Sequence, residues 1–348
     1  MNKIVLFFGV WIAASIGQLQ AFQKDKLDAF FNELASSEKA MGTVSVRQAG
    51  NPVYQYSFGK ARLQPPKEAN KTTVYKIGSI SKTYTAVLIL QLVDQGKLTL
   101  EERLDRFFPS LPNASEIRLI DLLKHRSGLF DVLQGEGFHT WVRQRRTQEE
   151  MLTRIANHAV VFPPNTKTAY SNTNYLLLSY IAEKVSGLDF GTLLHRAIVK
   201  PLQLKKTGFA MKAFASQNSA LPYYDGGSGW EAVPKTTCLA NTMGAGGVVS
   251  TADEITHFYH HLLKGSLLSS KSLKAMLTPE EEMGMGVSVM NYKGLQVIGH
   301  DGAIDGYKAV VFSIPQLQIT VAMTFNASNV QMTPTAIQVL EIFLSSQG

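Results

Sequence analysis

Apolar and polar positions follow three successive regimes along the chain. In residues 23–37, Leu27, Phe30, Phe31 and Leu34 recur at helical spacing and predict a helix. Residues 42–46 and 53–57 read as strands joined through Gly50-Asn51-Pro52 into a hairpin, and residues 60–73, with Pro65-Pro66, read as a loop. From residue 79 the pattern turns helical. Residues 81–95 form a strongly apolar helix stopped by Gly96, followed by helices over 120–124, 147–156, 174–185 and 190–198, the last ended by Pro201. Residues 80–235 are therefore mostly helix and loop. Beyond Cys238, residues 252–263 form a helix with Thr251 as its N-cap. Residues 284–290, 294–298, 309–314 and 319–325 are β-rich and broken by Gly, Pro and Asn, the hairpin pattern of an antiparallel sheet. Residues 334–344 close the chain as a helix, and no internal repeat interrupts it.

This order predicts an α/β (α+β) fold. The terminal parts share one antiparallel β-sheet flanked by helices, and the middle block is a large helical insertion. The expected sheet lobe covers residues 22–75 and 238–348, the helical lobe residues 76–237, and the cleft between them is where a site belongs.

The first residues do not fit that fold. Met1-Asn2-Lys3 gives a positive start, residues 4–16 are almost wholly apolar, and Gln18, Gln20 and Ala21 turn polar and small. That is the order of a secretory signal peptide, residues 1–21, with cleavage after Ala21 and Gly17 as the alternative. The run is short for a transmembrane span, which needs about 20 apolar residues, although an uncleaved anchor is the competing reading. A secreted or periplasmic domain over residues 22–348, without a membrane span once the signal is removed, is expected.

Composition narrows the chemistry. With 45% hydrophobic and 18% charged residues in 348, the chain is globular rather than disordered. The single cysteine, Cys238, excludes an intrachain disulfide and any multi-thiolate metal site. The net charge of +7 is spread in short clusters such as Arg143, Arg145 and Arg146, which reads as a solvated basic surface rather than a nucleic-acid site. His257, His260 and His261 lie on one predicted helix without the H-E-x-x-H glutamate, so an amphipathic surface is expected there, not a metal. No cofactor is expected. No G-x-S-x-G elbow, phosphate loop or dinucleotide fingerprint occurs.

Three short motifs carry chemistry. In Gly78-Ser79-Ile80-Ser81-Lys82, Ser79 stands where a loop becomes a helix, and the i, i+3 spacing puts Lys82 one turn on, on the same face. A lysine whose pKa is lowered by burial or a neighbouring cation can take the serine proton. The bland alternative is Ser79 as a cap and Lys82 as a surface lysine. In Tyr170-Ser171-Asn172, the tyrosine can shuttle a proton, and the asparagine amide can donate to and accept from a substrate amide. A buried tyrosine followed by a helix cap is the alternative. In His300-Asp301-Gly302-Ala303, at the end of a predicted strand, the Ala303 N–H can join the Ser79 N–H as an oxyanion donor, with His300 facing the cleft. A plain turn between strands is the alternative.

Taken together and in this order, the motifs resemble the serine β-lactamase and penicillin-binding-protein superfamily, nearest its class C-like group. The resemblance runs from about Gly42 to Phe343. It includes Ile77-Gly78-Ser79-Ile80-Ser81-Lys82-Thr83, Leu122-Leu123-Lys124-His125-Arg126-Ser127-Gly128-Leu129 and Tyr170-Ser171-Asn172-Thr173-Asn174-Tyr175. It continues through Pro201-Leu202, Thr207-Gly208-Phe209 and Gly246-Gly247-Val248-Val249-Ser250-Thr251-Ala252-Asp253 to Gly299-His300-Asp301-Gly302 and Gly306-Tyr307. The resemblance implies a β-lactamase/transpeptidase-like fold and a serine hydrolase working through an acyl-enzyme on a D-Ala peptide, a carboxylic ester or a β-lactam. It implies Ser79 as nucleophile, Lys82 and Tyr170 as proton carriers, and Asn172, His300, Gly302 and Ala303 as substrate-binding residues. The best-known members have Lys-Thr-Gly where this chain has His300-Asp301-Gly302. A histidine, with an ordinary pKa of about 6.5, is only partly charged near neutrality, which argues against efficient β-lactam turnover. The competing reading is a non-catalytic penicillin- or muropeptide-binding sensor of the same fold. A monomer acting on a small-molecule or peptide substrate, cell-wall fragments included, and binding no nucleic acid is expected.

Overall fold

The computed structural model describes residues 24–135, 137–210 and 218–345. The proposed signal segment, residues 1–21, lies outside them.

A first helix, α1 (24–36), leads into the hairpin β1 (Ala40–Gln48) and β2 (Asn51–Phe58). The stretch expected to be a loop carries a small hairpin, β3 (Lys60–Arg62) and β4 (Lys67–Glu68), before β5 (Tyr75–Lys76). The helical block holds α2 (Ser81–Asp94), α3 (Leu119–Leu123), α4 (Phe138–Trp141), α5 (Gln148–Ala156), α6 (Asn172–Ser186) and α7 (Phe190–Leu194). Short strands follow at β6 (Gly208–Phe209), β7 (Tyr223–Asp225) and β8 (Trp230–Ala232). Then come α8 (Leu239–Gly246), β9 (Val248–Ser250), α9 (Ala252–Leu263) and α10 (Ser270–Leu277). The chain ends with β10 (Ser288–Tyr292), β11 (Leu295–Ile304), β12 (Tyr307–Ile314), β13 (Ile319–Ser328) and α11 (Met332–Leu344).

The main sheet has six strands in the order β10-β11-β12-β13-β1-β2, with every pair antiparallel. The first and last strands of the chain therefore meet inside it: Gly42 pairs with Phe325 and Val46 with Val321. Alternation along each strand sends one set of side chains to each face. Val44, Phe312, Val321 and Phe325 pack with Leu27 and Phe31 of α1 and Val339 and Phe343 of α11. Ile298, Ala309, Val311 and Ala322 face the other way, into the larger core shared with the helices. This is the α/β arrangement expected, an antiparallel sheet flanked by helices.

Tight turns fix the strand register near the site. Asp305-Gly306 joins β11 to β12 with φ of 51° and 86°. Two consecutive left-handed residues define the type I′ turn, whose twist matches paired strands, and glycine takes the second position without strain. At the heart of the helical block, α2 buries nearly every residue from Ser81 to Leu90, so it reads as apolar all round rather than amphipathic. It packs against α6 and α8. Thr251 caps α9 as expected, its side chain accepting from Glu254 N–H.

Two elements beside the serine turn also differ from the sequence expectation. β11 does not stop at Ile298 but continues to Ile304, held by its pairing with β12. Residues 239–246 are helical although they include two glycines, Gly244 and Gly246, and a kink at Met243, where φ is 43°. Among the described residues, no helix is long and apolar enough to cross a membrane.

Candidate active site

The nucleophile candidate sits on a 3₁₀ turn, Gly78–Ile80, that feeds directly into α2. β5 anchors the turn from one side in a three-stranded sheet with β9 and β6. One helical turn on, Lys82 is fully buried, and its Nζ lies 3.0 Å from Ser79 Oγ. The same nitrogen lies 2.8 Å from Asn172 Oδ1 and 2.7 Å from the Ala245 carbonyl. An amide oxygen and a carbonyl can only accept. A neutral Lys82 would give its two N–H groups to these and offer its lone pair to the Ser79 hydroxyl. All three contacts are then satisfied with the amine ready to take a proton. Burial lowers the Lys82 pKa to about 7, against an opposing pull from the Asp131 and Asp301 charges.

The second wall is the start of α6. Ser171 is the extended N-cap residue and Asn172 the first helical residue. This leaves Tyr170 just outside the helix, beside the lysine: Lys82 Nζ is 4.9 Å from the centre of its ring. Burial pushes the Tyr170 phenol above its ordinary pKa; the nearby Ser79 hydroxyl opposes this, and the Asp301 and Asp131 charges add to it. Tyr170 is therefore an O–H at neutral pH, and it can pass a proton only by receiving another.

Two residues that the motifs did not single out hold this wall. Asp131, buried in the loop after α3, accepts from Asn172 Nδ2 at 2.9 Å and from Leu133 N–H at 3.0 Å. His125, just past the helix expected over 120–124, takes a left-handed φ of 58°. Its ring stacks on Tyr170 with centroids 4.5 Å apart, and its Nδ1 accepts from Ser171 N–H at 3.1 Å. Burial, followed by the charges of Lys82 and His300, holds the His125 pKa well below its ordinary value, so it is a neutral positioning ring.

The third wall is β11. β10 stops at the Ser288–Gly299 pair, so beyond it the β11 edge is open, and the Gly78–Ile80 turn lies against it. The approach is close enough to require glycine. A Cβ on Gly302 would come within 2.2 Å of the Ile77 carbonyl and 2.7 Å of Ser79 N, and one on Gly78 within 2.7 Å of Ala303 N. The backbone at Ser79 and at Ala303 is thereby brought close together, as a two-donor oxyanion hole would require. Strand alternation puts His300 on the face shared with Ile298 and Val311, toward the helical block. Its ring centre is 6.4 Å from that of Tyr170. Its Nδ1 contacts the Asp301 carbonyl at 2.5 Å; a carbonyl only accepts, so Nδ1 carries the proton and a neutral ring leaves Nε2 bare. Burial, then the Lys82 charge, pulls the His300 pKa below its ordinary value.

Ser79, Lys82, Tyr170, Asn172, His300, Gly302 and Ala303 thus converge from three separate stretches of chain. The histidines of α9 lie elsewhere: His257 and His261 rings are 4.6 Å apart, and no group of three or more potential metal ligands converges among the described residues.

Residues 27–342 match the Beta-lactamase family. The chain belongs to that family. It is a serine hydrolase of the β-lactamase, D,D-peptidase and esterase group, acting on amides or esters. Penicillin-binding protein 4* of Bacillus subtilis strain 168 is 24% identical over 314 residues, covering 83% of this chain and 68% of the relative. The D-alanyl-D-alanine-carboxypeptidase/endopeptidase AmpH of Escherichia coli K12 is 26% identical over 276 residues, covering 76% and 70%. The chain spans about two thirds of the length of these curated relatives. In fold, it is similar to the D-amino acid amidase of Ochrobactrum anthropi SV3, with a TM-score of 0.82 at 22% identity, covering 92% of this chain and 97% of that one.

Proposed function

We propose that this family member is a secreted hydrolase that forms an acyl-enzyme on Ser79, with residues 1–21 as its export signal and the mature lobes meeting at the Ser79 cleft. The observation that carries the reading is the 3.0 Å contact between Lys82 Nζ and Ser79 Oγ, on a lysine whose two remaining partners are obligate acceptors. Neutral Lys82 takes the Ser79 proton as Oγ attacks the substrate carbonyl carbon. The carbonyl electron pair moves onto oxygen, where the Ser79 and Ala303 N–H groups meet it. As the tetrahedral species collapses, the bond to the leaving group breaks. The leaving atom takes the Tyr170 proton while Lys82 returns its own to Tyr170. Water then attacks the ester on Ser79 by the same relay, releasing the acid. Asn172 holds the substrate amide, and His300 flanks it across the open edge of β11.

The substrate class of the reading is an amide or ester, with cell-wall D-Ala peptides supported by the activity named in the E. coli relative. One variant tests the core of it. Ser79→Ala removes covalent labelling by a fluorophosphonate or fluorescent penicillin while the protein stays folded. Labelling that persists at another serine, mapped by peptide mass, overturns the assignment. Rates on nitrocefin, a short-chain p-nitrophenyl ester and a D-Ala-D-Ala peptide then separate the substrates. N-terminal sequencing of exported protein tests the signal, with a mature start expected near Phe22.

A further inference from the structure

On the sheet side that packs against α11, β10 to β12 and α11 line an open cavity of about 170 Å³, which His300 also borders. Its walls include Tyr292, Val297, Val310, Phe312, Ala336 and Leu340. α11 lies mainly over β12 and β13, and this placement leaves the space over β10 and β11 unfilled. An apolar cavity of about 150 Å³ accepts a benzene ring, so this one has room for a ring of that size. The cavity reaches Ser288, Gly299 and Asp301, the point where β10 ends and the open edge of β11 begins. Asp301 is exposed there, on the same strand face as Val297, and carries no ion pair among the described residues. It is two residues from Ala303. A substrate group bound at the Ala303 amide would reach this cavity by passing over the unpaired β11 edge, beside the Asp301 carboxylate.

We propose that this cavity and Asp301 form a substrate subsite for an apolar, ring-sized substituent bearing a cationic amine. The proposal rests on the reading that Ser79 and Ala303 bind the scissile carbonyl. Chemistry favours an ammonium over a carboxylate at this place: a free carboxylate attracts the first and repels the second, while the neighbouring ring, His300, supplies no charge near neutrality. The lining accounts for the ring, because burying its apolar area against Val297, Phe312 and Leu340 is favourable without directional demands.

Three aryl acetates of matched reactivity test it: those of 4-(2-aminoethyl)phenol, 4-(2-hydroxyethyl)phenol and 3-(4-hydroxyphenyl)propanoate. They differ in the charge at the end of the ring substituent. The expected order of kcat/KM is cationic, neutral, anionic, with about fivefold between neighbours, the scale of one half-exposed charge contact. In Asp301→Asn the cationic-to-neutral ratio falls to about one. Ala336→Phe, which fills the cavity, compresses all three ratios. Equal rates for the three esters in the unmodified protein overturn the proposal. A second measurement is independent of turnover: binding of 2-phenylethylammonium, followed by calorimetry, to the unmodified protein and to Asp301→Asn. If no ester is hydrolysed, the catalytic reading fails, yet binding that Asp301→Asn weakens about fivefold still supports the subsite, and no binding overturns it. Binding accompanied by equal ester rates assigns the cavity to a free ligand instead, which also overturns the proposal as stated.

Discussion

The Asp131 carboxylate accepts a 2.9 Å hydrogen bond from the Asn172 amide nitrogen. A carboxylate cannot donate, so this contact decides which end of the amide faces Lys82: the oxygen, at 2.8 Å. The orientation of the Asn172 side chain and one of the lysine's three contacts are thereby set by Asp131, 41 residues away in sequence.

Asp131→Asn tests that arrangement. Loss of a charged acceptor is worth about 1.5–3 kcal/mol, so a fall of about ten- to a hundredfold in kcat/KM is expected. A structural role alone would not produce a second effect. The Asp131 charge raises the Lys82 pKa, so its removal lowers that pKa further and moves the acid limb of the kcat/KM profile to lower pH. A loss of rate with an unmoved limb would show that Asp131 supports only the loop.

The lysine gives the profile its direction. The base form of Lys82 is the neutral amine, and burial brings its pKa down to about 7. Acylation should therefore rise with pH through about 7 and level off above it. Lys82→Arg keeps the length and charge but cannot lose a proton at these pH values, and should slow acylation by about a hundredfold or more at every pH. Stopped-flow acylation by a chromogenic ester measures both.

Gly302 is the point of closest approach between β11 and the serine turn. In Gly302→Ala the added methyl meets the Ile77 carbonyl at 2.2 Å and must push the two segments apart. Separating the two oxyanion donors costs about a hundredfold in kcat, the scale of losing one donor. The thermal midpoint should fall as well, because overpacking strains the contact. Unchanged kcat with a lowered midpoint would show that the Ala303 amide does not take part.

His300 concerns the charge of the substrate. With its pKa pulled down by burial and by Lys82, the ring is neutral at pH 7.5, and any gain in binding an anionic substrate belongs below the ordinary histidine range of about 6.5. His300→Lys supplies the charge permanently. It should raise kcat/KM for an anionic ester about fivefold at pH 7.5 and leave a neutral ester's rate without that gain. Equal changes for both substrates would make His300 a structural residue of the strand.

The sequence made the serine and its lysine legible because both lie within one helical turn, where i, i+3 spacing is itself a statement about geometry. Tyr170 and Asn172 were legible in the same local way. Asp131 was not, since its partner Asn172 is 41 residues away and nothing periodic surrounds it. His125 looked like the end of a helix, and only its stacking on Tyr170 reveals another use. β11 looked shorter than it is because Gly299, His300, Asp301 and Gly302 break the apolar alternation that marks a strand; its continuation is dictated by β12, which no local pattern reports. The kinked helix 239–246 escaped for a related reason: Gly244 and Gly246 are poor helix formers, and the segment is helical where it packs against α2 and α6.

The pairing of β1 with β13 has a consequence for the order in which the molecule can assemble. Thr43 and Val44 emerge early in synthesis, yet their partners Thr324 and Met323 come near the end. Until those arrive, the β1–β2 hairpin has both edges open and half a core, and a two-stranded hairpin alone is marginal in water. The helical block can collapse sooner, around α2, but the Ala303 amide of the proposed oxyanion hole lies on β11, also late. A chain released before its final strands would hold Ser79 and Lys82 side by side with no oxyanion strand opposite. Contacts of such long sequence separation close slowly. Activity recovered during refolding should therefore lag behind helix formation, as far-UV dichroism and ester hydrolysis followed together would record.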